Sequence, residues 1–458
     1  MIKRTFLTLF IFLIILGCTD KKSAFVCVPC DLSCDLKIFS SGGSCAACGM
    51  KLAEKGTYNK ELTTSQISED FDILLTTLKS NHPGLYDYQN QSDFERKTKL
   101  LRTEIESAKN VLDEYRILSK LIAMVGDAHT YVMNPYYQNI LQEELLFPIV
   151  PRIDNNQIRI NGQNLRSING YSSKELLTRL QSFSNSDGNT IPYKNAFIEM
   201  EFPLKYFTFV DTASTFDVTF ENGKSKTVRG KSYFNKGLRP KIQSESLIIN
   251  ENTAIIKIPS WEDESASSFN SDLQEMIEKS KLAKFLSNSM EKIINAEVDK
   301  LTIDLRGNKG GKSGPAAVLL SYLIDKRFKY YTEIRVASDS FPTKQYISNK
   351  ELVQFYESND AKKLINKING NYYFIDDLLP SIQPSLKQYL GAIEILVDKY
   401  TLSVSTDVVA ILKKNRKVKV TGNEIGGSLD HYCAGNYLNL QLPNSKIEVN
   451  IPLQRLSY

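Results

Sequence analysis

The chain has 458 residues, 42% of them hydrophobic, with 57 Lys and Arg against 52 Asp and Glu for a net charge of +5. That length and apolar content can bury more than one core, so wholesale disorder is excluded and two to four domains are expected. The charges are spread without a long basic run, which sets nucleic acid aside as a partner.

The first eighteen residues carry an address. Lys3 and Arg4 precede an apolar run from Phe6 to Leu16, broken only by Thr8, and Gly17-Cys18 closes it. A membrane-spanning helix needs about twenty apolar residues, so this shorter run reads as the core of a signal peptide over residues 1–18. Ile15-Leu16-Gly17-Cys18 resembles a bacterial lipobox. That resemblance implies removal of the signal, lipidation of Cys18, and a chain anchored in the bacterial cell envelope on the extracytoplasmic side. An ordinary secretory signal that ends near a cysteine is the alternative.

Residues 19–58 hold five of the seven cysteines: Cys27, Cys30, Cys34, Cys45 and Cys48. Two CxxC pairs flank Gly42-Gly43, and each pair can wrap two thiolates around one tetrahedral ion. The expectation is a small zinc ribbon ligated by Cys27, Cys30, Cys45 and Cys48, with Cys34 as a further candidate. Cys45-Ala-Ala-Cys-Gly-Met50, followed by Leu52, also resembles small heavy-metal-binding modules that end in CxxCGM. Val28-Pro29-Cys30 departs from the Met-His those modules often carry, which favours zinc over copper. A structural zinc would fold a module with almost no apolar core. Disulfides compete, because export carries thiols into an oxidising space, and an odd count leaves one cysteine over in either case.

Residues 59–140 read as helical. Thr63 and Gln66 have capping-box spacing ahead of Ile67, Phe71, Leu74, Leu75 and Leu78, and Asn81-His82-Pro83-Gly84 stops that helix. Ser92 with Glu95 is expected to open a second helix. Tyr115, Leu118, Leu121, Ile122 and Val125 mark a third, which Gly126 ends. Asp127-Ala128-His129-Thr130 follows, so His129 sits on a turn and is free to face a cleft. The other two histidines, His82 and His431, read as surface or satisfied core residues.

Residues 145–242 change to short strands at Gln157–Ile160, Leu165–Ile168 and Phe216–Phe220, with a hairpin signal at Asn222-Gly223 and a capping box at Ser172 and Glu175. The stretch from Leu165 to Ser172 resembles the strand and turn of PDZ-like domains, which implies a sheet edge that receives an extended peptide.

From residue 246 to 458 strands and helices alternate, the pattern of an α/β layer fold. Leu301–Leu305 runs into Arg306-Gly-Asn-Lys-Gly-Gly311, whose glycines can turn bare N–H groups toward an oxyanion or a phosphate. Gly311-Lys312-Ser313 mimics the end of a P-loop, but Arg306 stands where that motif needs its first glycine. Ile393–Val397 runs through Thr401-Leu-Ser403 into a helix, where backbone amides can support a nucleophile. On that feature alone, a plain serine N-cap is the competing assignment.

GDAHT at Gly126, IDLRGNKGG at Ile303, TLSVST at Thr401 and TGNEIGG at Thr421 together resemble the signature stretches of the C-terminal processing and tricorn-type serine peptidases. The resemblance implies a multidomain α/β protein. Its crotonase- and Clp-like core would be preceded by the helical domain, the PDZ-like domain and the zinc ribbon. It further implies Ser403 as nucleophile and His129 as base, with an oxyanion hole from Gly310, Gly311 and Val404. The substrate would be an extended peptide or an unfolded protein tail. Ser428 stands in the region where the processing branch carries its lysine, and the orienting acid is unassigned between Asp127 and Glu424. Two other functions therefore stay open: a catalytically degraded peptide-binding lipoprotein of the same fold, and a metal-binding lipoprotein.

Overall fold

The computed structural model describes the chain apart from residues 1–23, 28–33, 35–36, 51, 55–59, 134–139, 142–143, 233–243, 267–271, 370 and 423. The signal segment, Cys18 and Cys30 thus lie outside the described residues. The chain forms two compact units, residues 1–55 and 56–458.

In the first unit β1 (Phe25–Val26) pairs antiparallel with both β2 (Ile38–Phe39) and β3 (Ala53–Glu54). Its buried cluster is Cys27, Cys34, Cys45 and Leu52, so sulfur replaces most of the hydrocarbon that a core would use. A unit this small needs a cross-link of some kind to hold its fold.

The second unit opens with α1 (Thr64–Asn81), α2 (Gln91–Thr103) and α3 (Val111–Val125). The Thr63–Gln66 capping box forms as its spacing requires. α2 starts two residues earlier than a Ser92 cap would have it, because Asn90 supplies the cap: its side chain accepts the Asp93 N–H at 2.8 Å, and Ser92 donates to Asn90. Gly126 ends α3 in the left-handed region at φ 75°, the geometry that favours glycine beyond a helix. β4 (Tyr131–Met133) follows the Asp127–Thr130 turn.

A six-stranded antiparallel sheet comes next. β5 (Arg152–Asp154), β6 (Gln157–Ile160), β7 (Gln163–Ile168), β8 (Tyr171–Ser172), β9 (Thr215–Phe220) and β10 (Ser225–Arg229) lie in the order β10-β9-β7-β6-β5, with β8 on β7. α4 (Ser173–Gln181) begins at the expected Ser172–Glu175 box. α5 (Ile191–Phe209) has no counterpart in the sequence pattern. It is buried nearly all round, so it lacks an amphipathic stripe, and Pro203 inside it coincides with a kink at Glu201.

The remaining chain builds two sheets. β11 (Ser246–Asn250), β12 (Thr253–Lys257) and β13 (Lys300–Asp304) begin the first, with α6 (Lys281–Asn295) and α7 (Ser313–Leu323) beside it. β14 (Glu333–Val336), β15 (Ile365–Ile368) and β16 (Asn371–Phe374) belong to the second. β17 (Ala392–Val397), α8 (Val404–Asn415) and β18 (Lys419–Gly422) complete the first, and the long hairpin β19 (His431–Gln441) and β20 (Glu448–Ser457) completes the second. The first sheet has the order β11-β12-β13-β17-β18 and is parallel from β12 onward. The parallel strands bury alternate residues in one core, Ile256, Leu301, Ile303, Ile393 and Ile395, while Ile255 beside Ile256 is exposed. The second has the order β15-β16-β14-β20-β19, and β4 adds to β20 through Tyr131–Asn450 and Val132–Val449.

α1 is tied to the turn of that hairpin by Asp70, which accepts the Ser445 N–H at 2.8 Å and its hydroxyl at 2.7 Å. Burial, and the Asp70 carboxylate beside it, push the fully buried Glu114 carboxyl up to about 9. Glu114 therefore holds its proton in the folded chain and releases it near pH 4.5 when unfolded. Stability should fall as pH rises from about 4.5 toward about 9, by at most ~1.4 kcal/mol per pH unit. Urea unfolding across that window should show this slope, and Glu114→Gln should flatten it; an unchanged slope would reject the protonated carboxyl.

Candidate active site

Ser403 lies between β17 and α8 with φ 55° and ψ −126°, a conformation non-glycine residues rarely adopt. Its side chain makes no cap hydrogen bond, which removes the plain N-cap assignment. The turn is held open by its neighbours. Thr401 Oγ1 donates to Leu305 O at 3.2 Å, Leu402 N–H to Asn308 O at 3.2 Å, and Gly307 N–H to Asp398 at 3.0 Å. From α5, the buried Glu199 carboxylate accepts from Lys399 Nζ at 2.6 Å and from the Tyr400 hydroxyl.

Gly310 packs directly on the serine. A β-carbon added there would stand 2.6 Å from Ser403 Cβ, and Gly310 has φ 104°. The loop is fixed to the segment before it by Trp261 N–H to Gly310 O at 3.0 Å and Lys312 N–H to Trp261 O at 2.9 Å. Trp261 in turn donates its indole N–H to Ser405 Oγ at 2.9 Å. The expected donor set needs one correction. Gly310 N–H is committed to Asn308 Oδ1 at 2.9 Å, so Gly310 serves by its missing side chain and not by its amide. Gly311 N–H and Val404 N–H have no hydrogen-bond partner among the described residues and remain able to face an oxyanion.

His129 is set by a second group of contacts. Its ring packs against Tyr432 of β19, with centroids 5.0 Å apart. Its Nδ1 is buried without a hydrogen-bond partner among the described residues and lies 3.9 Å from Asp127 Oδ1. Asp127 also accepts the His129 N–H at 3.1 Å and is held by the buried His82 ring at 3.2 Å. Burial would raise the Asp127 carboxyl, but the His82 hydrogen bond and charge outweigh it and hold the group below its ordinary value. His82 is thus a satisfied core histidine with a supporting place behind the turn.

Asp187 is the participant that sequence reasoning missed. Its carboxylate accepts Ala128 N–H at 3.0 Å and Ser428 N–H at 3.3 Å, so it braces the His129 turn against the loop after β18. Gly426 and Gly427 of that loop donate to Thr401 O at 3.0 and 3.2 Å, which brings the brace to the Ser403 turn. Burial pushes the Asp187 carboxyl above its ordinary value. Asp187 sits in Ser184-Asn-Ser-Asp-Gly188, a polar run that looks like any surface loop, and only its burial distinguishes it. Ser428 takes part through its backbone and as an acceptor of the Asp430 N–H at 3.3 Å. Glu424 is exposed, which leaves Asp127 as the carboxylate nearest His129 Nδ1 of the two considered from sequence. Among the described residues no hydrogen bond joins the Ser403 hydroxyl to His129.

Beneath this lies Asp407, one turn into α8. It accepts from Tyr458 at 2.7 Å and Tyr331 at 2.9 Å, and Tyr331 meets the Tyr432 hydroxyl at 3.1 Å. Burial pushes Asp407 up to about 6 against the phenol hydrogen bonds.

In the first unit the sulfurs of Cys27, Cys34, Cys45 and Cys48 all lie within 4.8 Å of one another. Cys34 therefore stands inside the group rather than in reserve, while Cys30 is outside the described residues. The Cys27 and Cys48 sulfurs are 3.1 Å apart, well beyond the ~2.05 Å of a disulfide, and among the described residues no disulfide joins any of the four. Backbone N–H groups of Ala47 and Cys48 face the Cys45 sulfur and bring its thiol down to about 7.

Residues 252–431 match the family model described as Peptidase family S41. No curated protein sequence matches the chain. Among solved structures, mature CPAF superposes with a TM-score of 0.56 at 12% identity, covering 86% of this chain and 89% of that one. CPAF complexed with lactacystin gives 0.55 at 13% identity, covering 85% and 90%. The photosystem II D1 C-terminal processing protease gives 0.42 at 12% identity, covering 86% and 89%. The CPAF likeness establishes a shared multidomain α/β fold.

Gly310→Ala tests the close approach at the serine. It should destabilise the protein by about 2 kcal/mol or more in urea unfolding, because both φ and space oppose it. Gly307→Ala, also at positive φ but with nothing within 4 Å, should cost about 1 kcal/mol. Equal costs would mean that the Ser403 contact contributes nothing.

Proposed function

We propose that the protein is a membrane-anchored, extracytoplasmic serine endopeptidase acting on extended peptides or protein C-terminal tails. The observation that carries this is Ser403: a serine held at φ 55° on a glycine, its hydroxyl unspent, at the amide end of a helix. In the proposed reaction His129 takes the hydroxyl proton as Ser403 Oγ attacks a peptide carbonyl. The tetrahedral oxyanion faces the N–H groups of Gly311 and Val404. His129 then gives the proton to the leaving amine, and water hydrolyses the acyl-enzyme by the same route. The match of residues 252–431 to a peptidase family supports this assignment. The missing Ser403–His129 hydrogen bond is compatible with it, since such contacts often tighten only with substrate bound. That same gap favours a second assignment, a peptide-binding protein that keeps the fold without cleavage.

The two separate on one experiment. A fluorophosphonate probe applied to membranes holding the full chain should label Ser403, and both Ser403→Ala and His129→Ala should abolish the label. Cys18→Ser should move the labelled protein to the soluble fraction. Absence of label on the wild type, with peptide binding retained, would install the non-catalytic assignment; a label that survives His129→Ala would remove His129 as base.

For the first unit we propose a structural zinc on Cys27, Cys34, Cys45 and Cys48. The donor set fits: four soft sulfur ligands are grouped with backbone N–H support at Cys45. Purified protein should carry about one zinc per chain by elemental analysis, and Cys34→Ser should lose it. Full zinc in that variant would return the ligand role to Cys30.

A further inference from the structure

Next to the His129 turn is a cavity of about 340 Å³ whose aromatic wall includes Tyr115, Tyr131, Phe183, Tyr193 and Phe197. Its position ties it to both reacting side chains. Ala128, the neighbour of His129, lines it. Tyr193 also reaches Gly426, where an added β-carbon would meet Tyr193 Cδ2 at 2.9 Å, and Gly426 donates to Thr401 O two residues before Ser403.

The polar groups in this wall include Glu201 and Lys205, both on α5 and four residues apart. The Lys205 side chain is only 6% exposed, yet its ammonium has no hydrogen bond to any described residue. Its contacts include the Glu201 carboxylate at 3.9 Å and the faces of Phe197 and Phe209, at 3.9 and 5.7 Å from the ring centroids. The side chain is buried but its ammonium reaches accessible space with N–H donors unused among the described residues, and ring faces offset only part of the desolvation. An acceptor entering the cavity would complete it.

The spacing selects the acceptor. Two groups 3.9 Å apart, one a donor and one an acceptor, leave room for a hydroxyl about 2.8 Å from each, which accepts from Lys205 and donates to Glu201. A carboxylate would meet Glu201 as a like charge, an ammonium would meet Lys205, and a plain phenyl ring would leave both unsatisfied. The aromatic walls suit a flat ring behind that hydroxyl. We infer that the cavity is a subsite for a tyrosine side chain of the peptide substrate, with Lys205 and Glu201 reading its hydroxyl. This names a substrate class for the proposed peptidase and rests on that assignment for the peptide as ligand.

The test is binding to the full chain carrying Ser403→Ala, so that no cleavage is needed. Blocked fluorescent tetrapeptides would carry Tyr, Phe, Leu or Glu at each position in turn, read by anisotropy. At one position Tyr should bind roughly ten- to hundredfold more tightly than Phe, as expected for hydrogen bonds to charged groups. Lys205→Met should bring Tyr and Phe within about twofold while the Phe peptide keeps its affinity. Glu201→Gln, whose side chain is 37% exposed, should narrow the gap as well and serves if Lys205→Met does not fold. Equal binding of Tyr and Phe at every position, a gap unchanged in the variants, or no binding would overturn the subsite. Tyrosine preference without fluorophosphonate labelling of the wild type would sink the peptidase and keep the subsite. Labelling without tyrosine preference would do the reverse.

Discussion

The site depends on one close approach: Ser403, in a backbone conformation that costs free energy, against Gly310, which has no side chain to prevent it. Strain of this kind persists only when the surroundings over-determine it. Here Thr401 and Leu402 are bonded to the loop after β13, Gly307 to Asp398, and Gly426 and Gly427 to Thr401. The serine cannot relax into an ordinary N-cap without breaking several of these together. The glycine loop is constrained from its other side by the backbone bridge to Trp261, which explains why two successive glycines are needed. Gly310 makes room for the serine, and Gly311 makes room for the Trp261 backbone.

Bringing His129 to the same region is a problem of topology, since it belongs to the helical segment. Two devices solve it. β4, directly after the turn, joins the sheet of the C-terminal hairpin, whose Tyr432 packs on the imidazole. Asp187 then pins the turn to the loop after β18 by accepting one N–H from each. A carboxylate that accepts two backbone donors in a buried setting sets direction as well as distance, so the position of His129 relative to the Ser403 turn is determined by residues far from both in sequence.

What the sequence made legible follows from range. The reciprocal caps at Thr63 and Ser172 and the apolar strands around Ile303 and Ile395 are local patterns, and they form where their spacing says. α5 was hidden because burial all round erases the helical period and Pro203 argues against a helix. Asp187 was hidden because its partners are backbone amides at Ala128 and Ser428, which no side-chain motif records. The resemblance implies Gly310 as an oxyanion donor, whereas Asn308, two residues earlier, takes its N–H in the folded chain. Cys34 shows the same limit: CxxC spacing ranks pairs by local chain geometry, and a sulfur cluster closes on whichever thiols the folded chain gathers.

The middle region is more than a spacer. Its kinked helix offers Glu199 to Lys399 and Tyr400, just ahead of the serine, and Glu201 and Lys205 to the cavity beside His129. An unkinked helix would place residues 199 and 201 about 200° apart around its axis. The helical period thus already sends the two carboxylates to opposite faces, and the break at Glu201, near Pro203 with its missing N–H, bends the helix beside them. One helix therefore braces the Ser403 turn from one face and bounds the adjoining cavity from the other, and the all-round burial this requires is what erases its period from the sequence.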